Sequence, residues 1–146
     1  MHIMATENVT MNNHHYGIFS DHFYNTPDLT SMFNVLSTNR DRAGASFISS
    51  MEGKSLPIYG TQWHPEKNAF EWALNQKTGF PYEAINHSWN AILVTQYTAN
   101  MFVQQTRKST HKFRSWQDED KALIWNYPVT RTQEDFVQRY FFPWTH

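Results

Sequence analysis

The chain has 146 residues, 40% of them hydrophobic and 16% aromatic, which is the length of about one domain and enough to build a core. Its 12 basic and 13 acidic residues leave a net charge of −1; no basic stripe neutralises phosphates, so nucleic-acid binding is not expected. With no cysteine the chain offers no disulfide, thiolate zinc site or thiol nucleophile of its own, and its longest aliphatic run, Ala91-Ile92-Leu93-Val94, is too short to span a membrane.

Residues 1–13 are polar and rich in Asn, Thr and Met, and residues 1–12 are expected to be poorly ordered or part of a loop. No basic region followed by an apolar stretch marks a signal peptide there. Two N-x-S/T sequons occur, Asn8-Val9-Thr10 and Asn86-His87-Ser88. Sequons arise by chance, but in a secreted protein Asn8 and Asn86 are candidate glycan acceptors. A short helix is expected over 27–32 after Pro27. Three strand-like runs follow. Phe33-Asn34-Val35-Leu36-Ser37-Thr38 alternates, Asn39 to Gly44 reads as a turn, Ser46 to Met51 is the return strand, and Leu56 to Trp63 is a third. Their close spacing predicts hairpins and an antiparallel patch.

Residues 64–81, with Pro65, Gly79 and Pro81, read as a loop. The clearest helix runs from about Ser88, a good N-cap residue, to Lys108. Trp89, Ile92, Leu93, Tyr97 and Met101 recur at helical spacing, and Arg107 and Lys108 sit at the negative end of the helix dipole. Residues 109–121 are polar, and Asp118-Glu119-Asp120 reads as a solvated loop. Ala122-Leu123-Ile124-Trp125 and Arg139-Tyr140-Phe141-Phe142 read as two short closing strands. The mixture is α/β or α+β, and pattern alone does not choose between them.

The most informative segment is Pro57-Ile58-Tyr59-Gly60-Thr61-Gln62-Trp63-His64-Pro65-Glu66-Lys67. A strand ends at Trp63, His64 follows at once, and Pro65 fixes φ and stops the strand. A turn at Pro65 can fold the Glu66 carboxylate back toward one imidazole nitrogen. That would set the tautomer and stabilise the imidazolium, leaving the other nitrogen to activate a nucleophile. As chemistry alone this is weak, because a histidine at a strand end is more often a structural hydrogen-bonding group.

The string Gln62-Trp63-His64-Pro65-Glu66 resembles the His-Glu part of the Cys-His-Glu triad of class I glutamine amidotransferase-like enzymes. Within that superfamily the continuation Lys67-Asn68-Ala69-Phe70-Glu71-Trp72 is similar to γ-glutamyl hydrolases; ordinary glutamine amidotransferases more often have Phe where Trp63 stands and lack the Phe70-Glu71-Trp72 tail. The segments Phe33 to Asn39, Phe47 to Gly53, Thr106-Arg107-Lys108 and Lys121 to Ile124 also match, so the resemblance runs from about Asn12 to Phe142.

The resemblance implies that residues 1–146 are the C-terminal portion of an α/β, flavodoxin-like domain, a central sheet flanked by helices, without the part that bears the nucleophile. It implies hydrolysis of γ-glutamyl bonds, chiefly in folate poly-γ-glutamates, through a thioester on a cysteine, with His64 and Glu66 as catalytic residues and with no metal or organic cofactor. It further implies a lysosomal, vacuolar or extracellular setting, which suits the sequons, and allows a homodimer. Asn13-His14-His15-Tyr16-Gly17 is similar to the family segment bearing a second histidine. His14 aligns most simply, since Tyr16 then takes the family's aromatic position, and His15 is the alternative. An imidazole there would bind a glutamyl carboxylate or a developing oxyanion; otherwise it is an exposed loop histidine. Gln62 would present its amide beside the site, whereas Trp63 reads as core and Phe70 and Trp72 as packing or rim residues. His14, His15 and His22 lack the spacing of a metal site.

The missing cysteine is the departure from the family pattern, because without a thiolate His64 has nothing to activate. A fragment, a shortened gene model and a decayed paralogue all account for it, and the intact His64–Glu66 segment favours the first two. The rival from another class is a non-catalytic protein that binds glutamylated ligands or a partner subunit.

Overall fold

The computed structural model describes residues 2–132 and 136–143. The N-terminal tract is more ordered than its composition suggests. Helix α1 spans His2–Thr6, and the one aliphatic residue after it, Val9, is 1% exposed and packs in a core cluster with Trp63, Ala91 and Val94, flanked by Ile3. Val9, with Met11 also buried two residues on, makes too short a pattern to show a period, yet burying the valine alone stabilises by about 2 kcal/mol. That burial anchors the segment.

Helix α2, Ser20–Tyr24, buries Phe23, and α3, Pro27–Met32, starts as expected with Pro27 at its first turn, where the missing N–H costs nothing. Strands β1, Phe33–Arg40, and β2, Ser46–Gly53, form the antiparallel hairpin that the alternation predicts. Asp41 closes its turn, the carboxylate Oδ1 accepting from the Ala43 and Ala45 amides at 2.9 and 2.8 Å. Gly44 has φ +86°, in the left-handed region where a side chain would be strained. The third strand, β3, is shorter than expected, Tyr59–Thr61, and adds antiparallel to β2, giving the order β1-β2-β3.

The expected loop 64–81 contains one helical turn, α4, Lys67–Phe70, and an isolated bridge between Leu74 and Pro81. Helix α5, Trp89–Thr106, is capped by Ser88, whose hydroxyl accepts from the Ala91 amide. Its buried positions are Ala91, Val94 and Thr95. Trp89, Leu93 and Tyr97, on the stripe that the periodicity marks, are exposed. Ala91 and Val94 pack against Val9 and Trp63, and Ile92 and Met101 of the same stripe are half-buried.

The C-terminal third departs furthest from expectation. The acidic run Asp118-Glu119-Asp120 lies in a helix, α6, Trp116–Ala122, and not in a loop. Ser115 caps it through the Asp118 amide and its hydroxyl donates to the Asp118 carboxylate. Residues 122–125 are not a strand: the chain leaves α6 into a 3-10 turn, Ile124–Asn126. The partner of the closing strand is instead β4, Val129–Arg131, paired antiparallel with β5, Gln138–Tyr140, in a separate two-stranded sheet. The architecture is α/β in content, with small antiparallel sheets and helices.

Candidate active site

The site is built where β3 ends. Beyond Thr61 the chain keeps contact with the sheet for one more residue, the Gln62 amide donating to the Ser49 carbonyl at 2.8 Å. Trp63 then turns into the core, 5% exposed. The next residue along an extended chain faces the other way, and His64 is half-buried, its side chain 36% exposed. Its backbone is pinned as well: the His64 amide donates to the Met11 carbonyl at 2.9 Å, in an antiparallel bridge with Met11.

Pro65 breaks the strand and Glu66 begins the α4 turn. The carboxylate thereby comes back onto the imidazole, with Glu66 Oε1 3.1 Å from His64 Nδ1. An ionised carboxylate can only accept, so this contact favours a proton on Nδ1 and leaves Nε2 as the basic nitrogen of the neutral ring. Among the described residues nothing hydrogen-bonds to Nε2. The pair is partly exposed, with the Glu66 side chain 50% accessible, so its worth to stability is small; its effect is on tautomer and ring orientation.

Gln62 and His14 come together around Gly17. A Cβ built on Gly17 would lie 3.3 Å from Gln62 Oε1 and 3.9 Å from His14 Cε1, so the amide and the imidazole flank Gly17, and a methyl there would push the end of Gln62 aside by a few tenths of an ångström. The His14 ring is held by Nδ1 against the Tyr16 carbonyl at 2.9 Å and by an edge contact with Phe47, centroids 5.3 Å apart. His14 is exposed in its loop, as are His15 and His22, and no three His, Asp or Glu side chains gather among the described residues in a way that could hold a metal. Phe70 and Trp72 are exposed, and Trp72 stacks on His87 at 3.7 Å. Of the two sequon asparagines, Asn8 is exposed, whereas Asn86 is half-buried and donates its side-chain amide to the Asn8 carbonyl at 2.5 Å.

No protein-family model matches the chain. Individual proteins do. It is 45% identical to gamma-glutamyl hydrolase B of Dictyostelium discoideum over 139 residues, 94% of this chain and 38% of that protein. It is 39% identical to gamma-glutamyl hydrolase of Homo sapiens over 141 residues, 95% of this chain and 42% of that protein. It is also 39% identical to probable gamma-glutamyl hydrolase 3 of Arabidopsis thaliana over 127 residues, 87% of this chain and 34% of that protein.

The chain belongs to the γ-glutamyl hydrolase family. It corresponds to a C-terminal part of it and spans only 34% to 42% of the length of these three relatives.

Within this γ-glutamyl hydrolase segment, the structure adds residues that the sequence did not single out. Lys67, next to Glu66, is almost fully buried, and its ammonium pairs with Glu83 at 2.5 Å. Asn13, next to His14, donates to the other oxygen of Glu83, also at 2.5 Å. Glu83 then lines a recess of about 270 Å³ with Glu71, Trp72, Tyr82 and His87. A buried lysine requires a carboxylate, but a linear pattern shows neither that Lys67 is buried nor which carboxylate meets it.

Proposed function

We propose that this chain supplies the histidine–carboxylate half of a cysteine hydrolase acting on γ-glutamyl bonds, chiefly those of folate poly-γ-glutamates, on a class I glutamine amidotransferase-like fold. The observation that carries the reading is the contact of His64 Nδ1 with Glu66 Oε1 at the end of β3, in a chain of this family. In the reaction His64 Nε2 takes the thiol proton, and the thiolate attacks the γ-carbonyl carbon. The C–N bond breaks as His64 protonates the leaving amine, giving a thioester. Water, deprotonated by His64, then attacks the thioester; the C–S bond breaks, the acyl portion leaves with a free γ-carboxylate, and the thiolate regains its proton from His64. Glu66 orients His64 throughout. His14 and Gln62, converging at Gly17, bind the glutamyl carboxylate or the oxyanion. The mechanism needs no metal or organic cofactor. We place the protein in a lysosome, a vacuole or the extracellular space, with the exposed Asn8 the better glycan acceptor, and allow a homodimer.

The nucleophile is not in this chain, which has no cysteine. The chain by itself should therefore release no glutamate from a folate pentaglutamate above a buffer control. Joined to the cysteine-bearing part of a family member, it should turn over. Release by the chain alone, within a few orders of magnitude of a complete enzyme, overturns the cysteine mechanism. The absence of cysteine also favours a second reading, a non-catalytic paralogue that binds glutamylated ligands or a partner. Failure of the joined, folded polypeptide to turn over decides for that reading.

A further inference from the structure

We propose that Glu83 is a positioning residue that sets the His14 loop and the His64–Glu66 turn in one fixed geometry, each through one carboxylate oxygen. The inference rests on the roles proposed above for His14 and His64. Oε1 of Glu83 accepts from Asn13 Nδ2 and Oε2 accepts from Lys67 Nζ, both at 2.5 Å. Asn13 immediately precedes His14, and Lys67 immediately follows Glu66. A single carboxylate thus touches the neighbours of both histidine-bearing segments, from positions 70 and 16 residues away in the chain.

Burial makes this tie stiff. The Lys67 side chain is 3% exposed and that of Glu83 10%, and the ammonium also lies 4.8 Å from the Phe136 ring centroid. Neither charge can trade its partner for water, so the pair holds its geometry. The His14 loop needs such a hold. The loop is anchored by backbone at its two ends, where Met11 accepts from the His64 amide and Ile18 accepts from the Ile48 amide. Between them, among the described residues, no backbone–backbone bond is made by residues 12–17, and the hydrogen bond from Asn13 to Glu83 is the one that reaches out of the loop to another segment. His14 itself bonds only within the loop, to Tyr16 and Asn12.

A purely structural ion pair and a positioning carboxylate predict different results for Asn13→Ala. That change leaves the buried Lys67–Glu83 pair whole and removes only the tie to the loop. The experiment is NMR on the chain itself, reading amide hydrogen exchange residue by residue and the imidazole nitrogen signals of His14 and His64. Asn13→Ala should leave the thermal midpoint unchanged while the His64 amide exchanges about tenfold faster, the loss of one charge-assisted tie, with the Ile48 amide unaffected. Lys67→Met/Glu83→Gln, which removes both buried charges together, should shift the His64 nitrogen signals toward a mixture of tautomers as Glu66 loses its fixed place. Unchanged His64 exchange and nitrogen signals in both variants overturn the proposal, as does acceleration of all amides in step with global stability. Titration of the unsubstituted chain with γ-glutamylglutamate separates the two readings. Perturbation of the His14 and His64 signals supports the site itself; silence of both counts against the proposed function, while the exchange data still decide the role of Glu83.

Discussion

The two sides of α5 treat their aromatic and apolar residues in opposite ways. On the inner side, Val9 and Trp63 close over Ala91 and Val94, and Trp63 immediately precedes His64. On the outer side, Trp89 is 77% and Tyr97 65% exposed, and further along the chain Trp116 and Trp125 are each 72% exposed. Large rings contribute most when buried, so the inner side finds its partners within these residues and the outer side does not. The helical spacing of Trp89, Leu93 and Tyr97 shows that α5 has an apolar face; it does not show that this chain covers it. The inner side is therefore where a substitution is felt by the chain itself, and the chain spans well under half of the relatives it matches.

The largest effect tests the chemistry proposed for His64, next to the inner side. In a polypeptide that supplies the cysteine, His64→Ala should lower kcat by at least about a thousandfold, through loss of the general base and of the thiolate's partner. Glu66→Gln should cost less, because an amide oxygen still accepts from Nδ1–H. Steady-state kinetics on both variants would separate them; small and equal losses would remove His64 from the mechanism.

The next effect is on stability. Trp63→Ala empties the centre of the cluster that α5 builds with Val9, and such a truncation costs about 3–5 kcal/mol. Urea unfolding of the chain would measure it. A loss below about 1 kcal/mol would mean that the inner side is no better packed than the outer one, and the contrast would fail.

Legibility in the sequence follows the range of the interactions involved. Pro27, the alternation of Phe33 to Thr38, the polar turn before Ser46 and the Ser88 cap are local signals, and α3, the β1–β2 hairpin and α5 appear where they point. Pro65 between His64 and Glu66 is equally local, and so is the contact it allows. Helix α6 also had a local signal that composition masked: Ser115 followed three residues later by Asp118 is a capping box, read as loop because the stretch is acidic. The strand expected at residues 122–125 had the right residue types but pairs with no strand among the described residues, and β5 pairs with β4. Val9 in the core, Met11 beside His64 and Glu83 between Asn13 and Lys67 depend on contacts across the chain that no window of sequence contains.

A third effect lies within the site. If His14 contacts substrate and does not transfer the proton, His14→Asn should lower kcat/KM by about ten- to a hundredfold, the worth of one charge-assisted hydrogen bond, and less than His64→Ala does. His15→Asn should be nearly silent, because His14, not His15, shares the space at Gly17 with Gln62. A large loss at His15 with none at His14 would move the assignment by one residue.

The smallest effect is expected on the outer side, and it is the sharpest test of the contrast. Trp89 stands at the first position of α5, 77% exposed. A side chain in water on both sides of folding loses little when replaced, so Trp89→Ser should change the stability of this chain by no more than about 0.5 kcal/mol. Serine is a slightly poorer helix former than many residues, but the difference is a few tenths of a kcal/mol and the Ser88 cap is untouched. Urea unfolding of Trp89→Ser and Trp63→Ala, side by side, compares two tryptophans in one chain under one set of conditions. A difference of several kcal/mol between them places the stabilising contacts of α5 on its Ala91–Val94 side. Equal losses would mean that Trp89 is covered in solution, by a second copy or by another part of the fold, and a concentration series of the same unfolding curves would tell these apart, since only self-association makes the midpoint depend on protein concentration.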